Sequence, residues 1–351
     1  MVVKIMITRR RASFILLGTG LLVFALAGLL VLAGADRSAG RSGLSQLAAA
    51  ATDAPAPTPA VSGGVSPIST ATLAATSSLS ASQAVPSARL FDGARAYEHV
   101  LAQEAIGVRP TGSQAGWKTG DYIIEQLEAV GWQVETQEFT FKGVRGRNIV
   151  GKTGQGPVII LGAHYDTRPA ADREADPADR QKPILGANDG GSGVAVLLEL
   201  ARVLNPDRLK HEVWLAFFDA EDRGHLDGWP FSVGAQEMAR RLELRPQAVI
   251  VVDMVGDADQ NIYYEYNSDE QLMRDIWSVA ARLGYADNII PKYRYNVIDD
   301  HVPFAELGIP AVDMIDFDYP YWHTLADTSD KVSPLSLERV GRTLQVWLES
   351  R

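Results

Sequence analysis

Four stretches of the chain are continuously apolar: "PVIILGAH" (157–164), "EVWLAFFD" (212–219), "QAVIVVDM" (247–254) and "IPAVDMI" (309–315). Runs of this kind predict central strands covered on both faces. "WQVETQEFTF" (132–141) alternates instead, and predicts a strand with one wet face. Between these runs apolar residues recur at helical spacing: "GDYIIEQLEAVGW" (120–132), "GVAVLLELARVL" (193–204), "SVGAQEMARRL" (232–242), "SDEQLMRDIWSVAARLG" (268–284) and "SPLSLERVGRTLQVWLES" (333–350). Strands alternating with helices predict an α/β fold, a three-layer sandwich around a mostly parallel central sheet.

In such sheets ligands sit beyond the carboxyl ends of the strands. His164 and Asp166 follow the first apolar run, Asp219, Glu221 and Asp222 the second, and Asp253 closes the third. His323 lies in "DFDYPYWHT" after the last, and Asp189 in "GANDGGSG" opens a helix. Side chains that ligate metals therefore gather on one edge. In "FFDAEDRG" three carboxylates fall within four positions. Such crowding raises at least one pKa unless a cation lies between them.

Each group also has a structural reading. Asp166 can orient the His164 imidazole as an acceptor. Asn188, Asp189 or Ser192 can cap the helix they precede. No Lys follows those glycines, which argues against a phosphate loop. Asp219 can hold the turn, while one of Glu221 and Asp222 binds a metal and the other faces substrate as a base. Asp253 is costly in an apolar setting unless paired. His323, flanked by Trp322, can be core packing. In "DDHVPFAELG" (299–308), Asp299 or Asp300 can cap a short helix, or Asp300 and His301 can line the pocket. His99, His211 and His225 read as surface residues.

The front of the chain differs. Residues 14–35 carry no charge and are long enough to cross a bilayer behind Arg9, Arg10 and Arg11. We expect a transmembrane anchor (or a cleaved signal segment) over 14–35 and a basic cytoplasmic end over 1–13. The Ala/Ser/Thr/Pro-rich residues 36–88 read as a disordered linker. The catalytic domain is expected over 89–351, membrane-anchored on the extracytoplasmic side, or secreted if the segment is cleaved. Net charge is −10. Residues 1–88 hold six basic against two acidic side chains, a balance of +4, so the remainder carries −14. That acidity excludes nucleic acid as a partner. The absence of cysteine excludes thiolate metal sites and cysteine nucleophiles.

"GAHYD", "GANDGGSG", "FFDAEDRG", "VVDMVGD" and "YWHTLADT", in that order across 89–351, resemble the M28 family of zinc exopeptidases and its sister branch, the animal-type glutaminyl cyclases. The resemblance implies a phosphorylase/hydrolase-like sandwich with one or two zinc ions. His164 and Asp253 would hold one ion, Asp222 and His323 the other, with Asp189 bridging and Glu221 as general base. The family usually has Glu-Glu where this chain has Glu221-Asp222, a side chain shorter by one methylene at the second metal. Imidazole and carboxylate ligands without thiolate suit catalytic zinc that keeps an open position.

The leading expectation is an aminopeptidase that hydrolyses the N-terminal peptide bond of peptides or proteins through metal-activated water, with Glu221 as base. The alternative is a glutaminyl-peptide cyclotransferase, in which the substrate's own α-amine attacks its side-chain amide and one zinc is enough. "DAED", the pair Asp299-Asp300 and Trp322 before His323 look like the cyclase branch. Asp166 joins Glu221 among the catalytic residues, and Asp300, His301 and Trp322 are expected at the substrate. A non-catalytic binding module on this fold is the third reading. All six expected ligand and base positions are filled, which argues against it.

Overall fold

A computed structural model describes residues 89–351. The expected basic end, anchor and linker (1–13, 14–35 and 36–88) lie outside the described residues. No helix among the described residues is long and apolar enough to cross a membrane.

The strands in chain order are β1 (Gln133–Phe141), β2 (Val144–Gly154), β3 (Val158–His164), β4 (Glu212–Phe218), β5 (Ala248–Asp253), β6 (Ile262–Glu265), β7 (Ile289–Tyr295) and β8 (Ala311–Ile315). Six of them form one sheet in the order β1-β2-β4-β3-β5-β8, and β6 pairs with β7 in a small second sheet. β3, β4, β5 and β8 run parallel, whereas β1 and β2 are antiparallel to each other and β2 to β4. The sheet is thus mixed, with its parallel part in the half that carries the candidate site.

The helices are α1 (Gly93–Ile106), α2 (Gln114–Ala129), α3 (Gly191–Val203), α4 (Val233–Arg241), α5 (Glu270–Arg282), α6 (Val302–Glu306) and α7 (Pro334–Glu349). The period of two along the strands sorts the core into two slabs. Ile159 and Leu161 of β3, Leu215 of β4 and Ile250 of β5 pack with residues of α3, α5 and α7. Their neighbours Ile160, Ala216, Val249 and Val251 pack on the opposite face with Met238 of α4 and Phe304 of α6. Helices on both faces make the three layers.

Four elements carry no clear pattern in the sequence: the strands β6 and β7 of the small sheet, and β2 and α1. β2 places Arg145 and Arg147 among its early residues, which hides its buried middle. α1 buries only Gly93, Ala96, Val100 and Gln103, too small a stripe for an apolar repeat.

Candidate active site

The site lies at the carboxyl ends of β3, β4, β5 and β8. β3 ends on His164. Beyond β4 the chain turns sharply at Ala220, whose φ of 64° is left-handed and unusual for a residue with a Cβ. The turn sends Asp219 back under the sheet edge. Its carboxylate accepts hydrogen bonds from the Arg147 backbone N–H (3.0 Å) and the Tyr165 hydroxyl (3.2 Å), linking β2 to the exit of β3. Burial, with Asp166 adding to it, pushes Asp219 up to about 7. Asp219 therefore ties strands together more than it holds the turn.

Asp166 holds the turn. It accepts from the backbone N–H groups of Glu221 (3.0 Å) and Asp222 (3.2 Å) and from the Thr111 hydroxyl (3.1 Å). Its oxygen stands 3.6 Å from His164 Nδ1, too far for a hydrogen bond. Asp166 is buried and does not line the pocket, and its two bonds fix the backbone of Glu221 and Asp222.

The capping reading of Asp189 also fails. α3 is preceded by Gly190, with φ of 70° and no side-chain cap. Only glycine fits there, because a Cβ would meet the His164 ring at 2.8 Å. Asp189 is thus free for other work. Asp327 clamps its backbone N–H (3.1 Å) and that of Asn188 (2.9 Å).

Two sets of donor atoms converge, His164 with Asp189 and Asp253, and Asp189 with Asp222 and His323. His164 Nε2 lies 3.2 Å from both Asp189 Oδ1 and Asp253 Oδ1. His323 Nε2 lies 3.1 Å from Asp222 Oδ1 and 3.7 Å from Asp189 Oδ2. Asp189 thus turns one oxygen to each histidine. Asp189 Oδ2 and Asp222 Oδ2 are buried with no hydrogen-bond partner. Such orphaned acceptors call for a cation.

Electrostatics agree. Burial alone would lower His323, but Asp222, Asp172 and Asp189 outweigh it and push it up to about 9. Glu221 is driven well above the carboxylate range by burial, with His164 opposing and Asp299, Asp222 and Asp300 reinforcing. A raised carboxylate in a cleft suits proton transfer near neutral pH.

A pocket of about 230 Å³ opens over the second set. Glu221, Asp222, Asp253 and Asp299 line its polar side, and Val297, Ile315, Phe317 and Trp322 its apolar side. Trp322 packs on the His323 ring at 4.0 Å and carries Arg173 over its face at 4.6 Å.

Other expectations are corrected. Asp300 and His301 are fully buried and do not line the pocket, and Asp299 takes that place. His301 Nε2 lies 3.2 Å from Glu265 Oε2, and its Nδ1 lies 3.9 Å from Asp313 Oδ2. Neither Asp299 nor Asp300 caps α6, which starts from His301 with no side-chain bond. His225 is exposed but belongs to the pocket wall. His99 is half-buried against the Tyr122 hydroxyl at 2.6 Å.

The sequence reading missed Arg168 and Asp172. Arg168 donates to Asp172 at 2.8 Å from both Nε and Nη2, and to Asp222 Oδ1 at 3.3 Å. Burial would raise Asp172, but hydrogen bonds from His323 and Arg168 hold it well below the usual range. Asp172 in turn lies 3.2 Å from His323 Nδ1. The position of both in the loop that leaves β3 was the only available signal.

Comparison with known proteins identifies the frame. Residues 148–348, more than half of the chain, match peptidase family M28. A glutaminyl-peptide cyclotransferase-like protein of Mus musculus is 25% identical over 284 residues, covering 69% of this chain and 71% of that one. The crystal structure of Bacteroides thetaiotaomicron glutaminyl cyclase bound to N-acetylhistamine superposes with a TM-score of 0.71 at 31% identity, covering 75% of this chain and 99% of that one. A leucine aminopeptidase precursor from the same organism gives the same TM-score of 0.71, identity of 31% and coverage of 75% and 99%. On the ordered motifs, the sheet and this match, the chain belongs to peptidase family M28.

Proposed function

We propose that the protein is a zinc-dependent glutaminyl-peptide cyclotransferase that converts N-terminal glutamine of peptides or proteins into pyroglutamate. The observation that carries this choice is the inequality of the two ligand sets. Each histidine has a carboxylate near 3 Å, His164 from Asp253 at 3.2 Å and His323 from Asp222 at 3.1 Å, but only beside His323 do two further carboxylate oxygens, Asp189 Oδ2 and Asp222 Oδ2, stand buried and unpartnered. One cation, held by Asp189, Asp222 and His323, answers those orphans. Two carboxylates and an imidazole form a zinc donor set with room for a substrate oxygen. Zinc there supplies polarisation of the glutamine side-chain carbonyl. Relatives and solved structures named as cyclases support the reading.

The protein's own residues then divide the work. Trp322, Phe317 and Ile315 enclose the methylenes of the glutamine and exclude water. Glu221 accepts a proton from the attacking α-amine and passes it to the departing ammonia. The bond from the α-nitrogen to the side-chain carbonyl carbon forms as the carbon–ammonia bond breaks, so no water is consumed. Asp299, opposite the aromatic wall, accepts hydrogen bonds from the α-amine.

Hydrolysis of the N-terminal peptide bond, the leading expectation from sequence, is the second reading, and family membership accommodates it. What favours it is that His164, Asp189 and Asp253 also converge closely enough to hold a second ion. Mass spectrometry of peptides beginning with Gln and with Leu separates the two. Loss of ammonia from the Gln peptide, with the Leu peptide intact, is expected. Removal of the leucine residue, with no ammonia from the Gln peptide, would overturn the proposal. The uncharged segment 14–35 supports an extracytoplasmic location on a tether. Digestion of the domain by protease added to intact cells is the expected result there.

A further inference from the structure

We propose that the groove between α4 and α6 binds apolar side chains at the third and fourth positions of the peptide substrate. This rests on the peptide-directed function above. The pocket over the ligands holds about 230 Å³. That lies below the range of roughly 300–1,000 Å³ typical of sites that engulf a whole ligand. It has room for the first residue, and the rest of a peptide must leave across the wall.

A second cavity of about 440 Å³ adjoins that wall. The two share Phe231, Ile298 and Asp299, so the groove is the next surface that a chain leaving the pocket over this wall would meet. Ile298 at the shared rim is 66% exposed and Leu307 in the groove is 50% exposed. Ala239 of α4 and Val302 and Pro303 of α6 add apolar surface. The charged members are Arg240, Glu306 and, at the shared rim, Asp299. Arg240 bonds Glu237 (2.6 Å) and the Gln236 carbonyl (3.2 Å), so the charges left facing the groove are two carboxylates, which disfavour an acidic occupant. Its walls are helices and a loop, with no free strand edge. Recognition therefore runs through side chains and not through added β-pairing. Exposed Ile298 and Leu307 make the occupant an aliphatic, non-acidic part of the substrate.

The test compares Gln-Ala-Leu-Leu with Gln-Ala-Ala-Ala, reading released ammonia and released amino acids together. About a tenfold higher kcat/KM for the Leu peptide is expected, carried by KM, because the contact is remote from the reacting atoms. In Leu307→Asp the advantage falls to about twofold or less. Equal values for the two peptides, or an advantage that survives Leu307→Asp, overturn the inference. A pyroglutamyl-Ala-Leu-Leu product labelled at its C-terminus reads the groove by fluorescence anisotropy without turnover, and weaker binding to the variant is expected. Absence of ammonia from every Gln peptide sinks the cyclase reading alone, and the anisotropy still decides the groove. Concentration-dependent dimerisation abolished by Leu307→Asp would assign the groove to a second copy and overturn the inference.

Discussion

The two ligand sets share Asp189 and differ in what stands behind their histidines. Behind His323, Asp172 lies 3.2 Å from Nδ1 and is itself held by two bonds from Arg168. Behind His164, Asp166 is 3.6 Å away and Nδ1 has no hydrogen-bond partner. In front, each Nε2 has a carboxylate near 3 Å, Asp253 for His164 and Asp222 for His323, but the second oxygens of Asp189 and Asp222 stay unpartnered. A metal-ligating His is oriented from its far ring nitrogen. The difference lies in the bracing: one histidine is held from behind and the other is not, and on the one-ion reading proposed above the braced set is the one that receives the ion.

The most severe way to break this comparison is at the braced set. Asp222→Ala is expected to lower turnover by about a thousandfold or more and to remove zinc from the purified protein. Glu221→Gln is expected to match that loss with zinc retained, within the ~10²–10⁴-fold range of a general base. Elemental analysis beside kinetics reads both. Zinc at full occupancy in Asp222→Ala would contradict the ligand assignment.

The unbraced set should respond less. Asp253→Asn is expected to cost roughly a hundredfold in turnover, because the support of the pocket floor loosens, with one zinc per chain before and after. Two zinc ions in the wild type, falling to one in the variant, would erase the inequality and restore two-ion hydrolysis.

How much of this was legible depended on where each residue stood. His164 and Asp253 close apolar runs, so the strand-end rule found them without a structure. Asp313 sits inside the run "IPAVDMI" and was read as part of a strand. Only the fold brings it to His301 and Glu265, which come from other elements. Arg168 was invisible for a related reason. Its partners Asp172 and Asp222 lie on two loops, and no spacing in the chain encodes their meeting. The sequence reading set Asp300 and His301 at the pocket, whereas Asp299 lines it, because which of two neighbours faces the pocket is set by the backbone of one loop. β2 was lost because Arg145 and Arg147 break its apolar pattern, although six consecutive positions, Arg147 among them, are buried.

A finer test of the brace is Arg168→Met. It leaves every donor atom in place but frees Asp172, and through it the His323 ring. Zinc affinity, measured by competition with a chromophoric chelator, is expected to weaken about tenfold, at the low end for a residue supporting a ligand. Unchanged affinity would mean that the brace does not orient the ligand.

The smallest effect is a pH dependence of the zinc-stripped protein. Its folded His323 titrates at about 9 against 6.5 when unfolded, because Asp222, Asp172 and Asp189 outweigh the burial that lowers it. The folded state therefore binds more protons between these values. The stability this contributes is complete below 6.5 and is lost as pH rises through 9, with an upper bound of about 3 kcal/mol. Thermal melts of chelated protein should fall in Tm across that window, and His323→Gln should flatten the slope. Zinc-loaded protein should also be flatter, since an ion replaces the proton on the imidazole. His164 is likewise raised, by Asp253, Asp166 and Asp189 acting against its burial. A slope that survives His323→Gln and vanishes in His164→Gln would place the proton in the unbraced set, and the two sets would have to exchange roles.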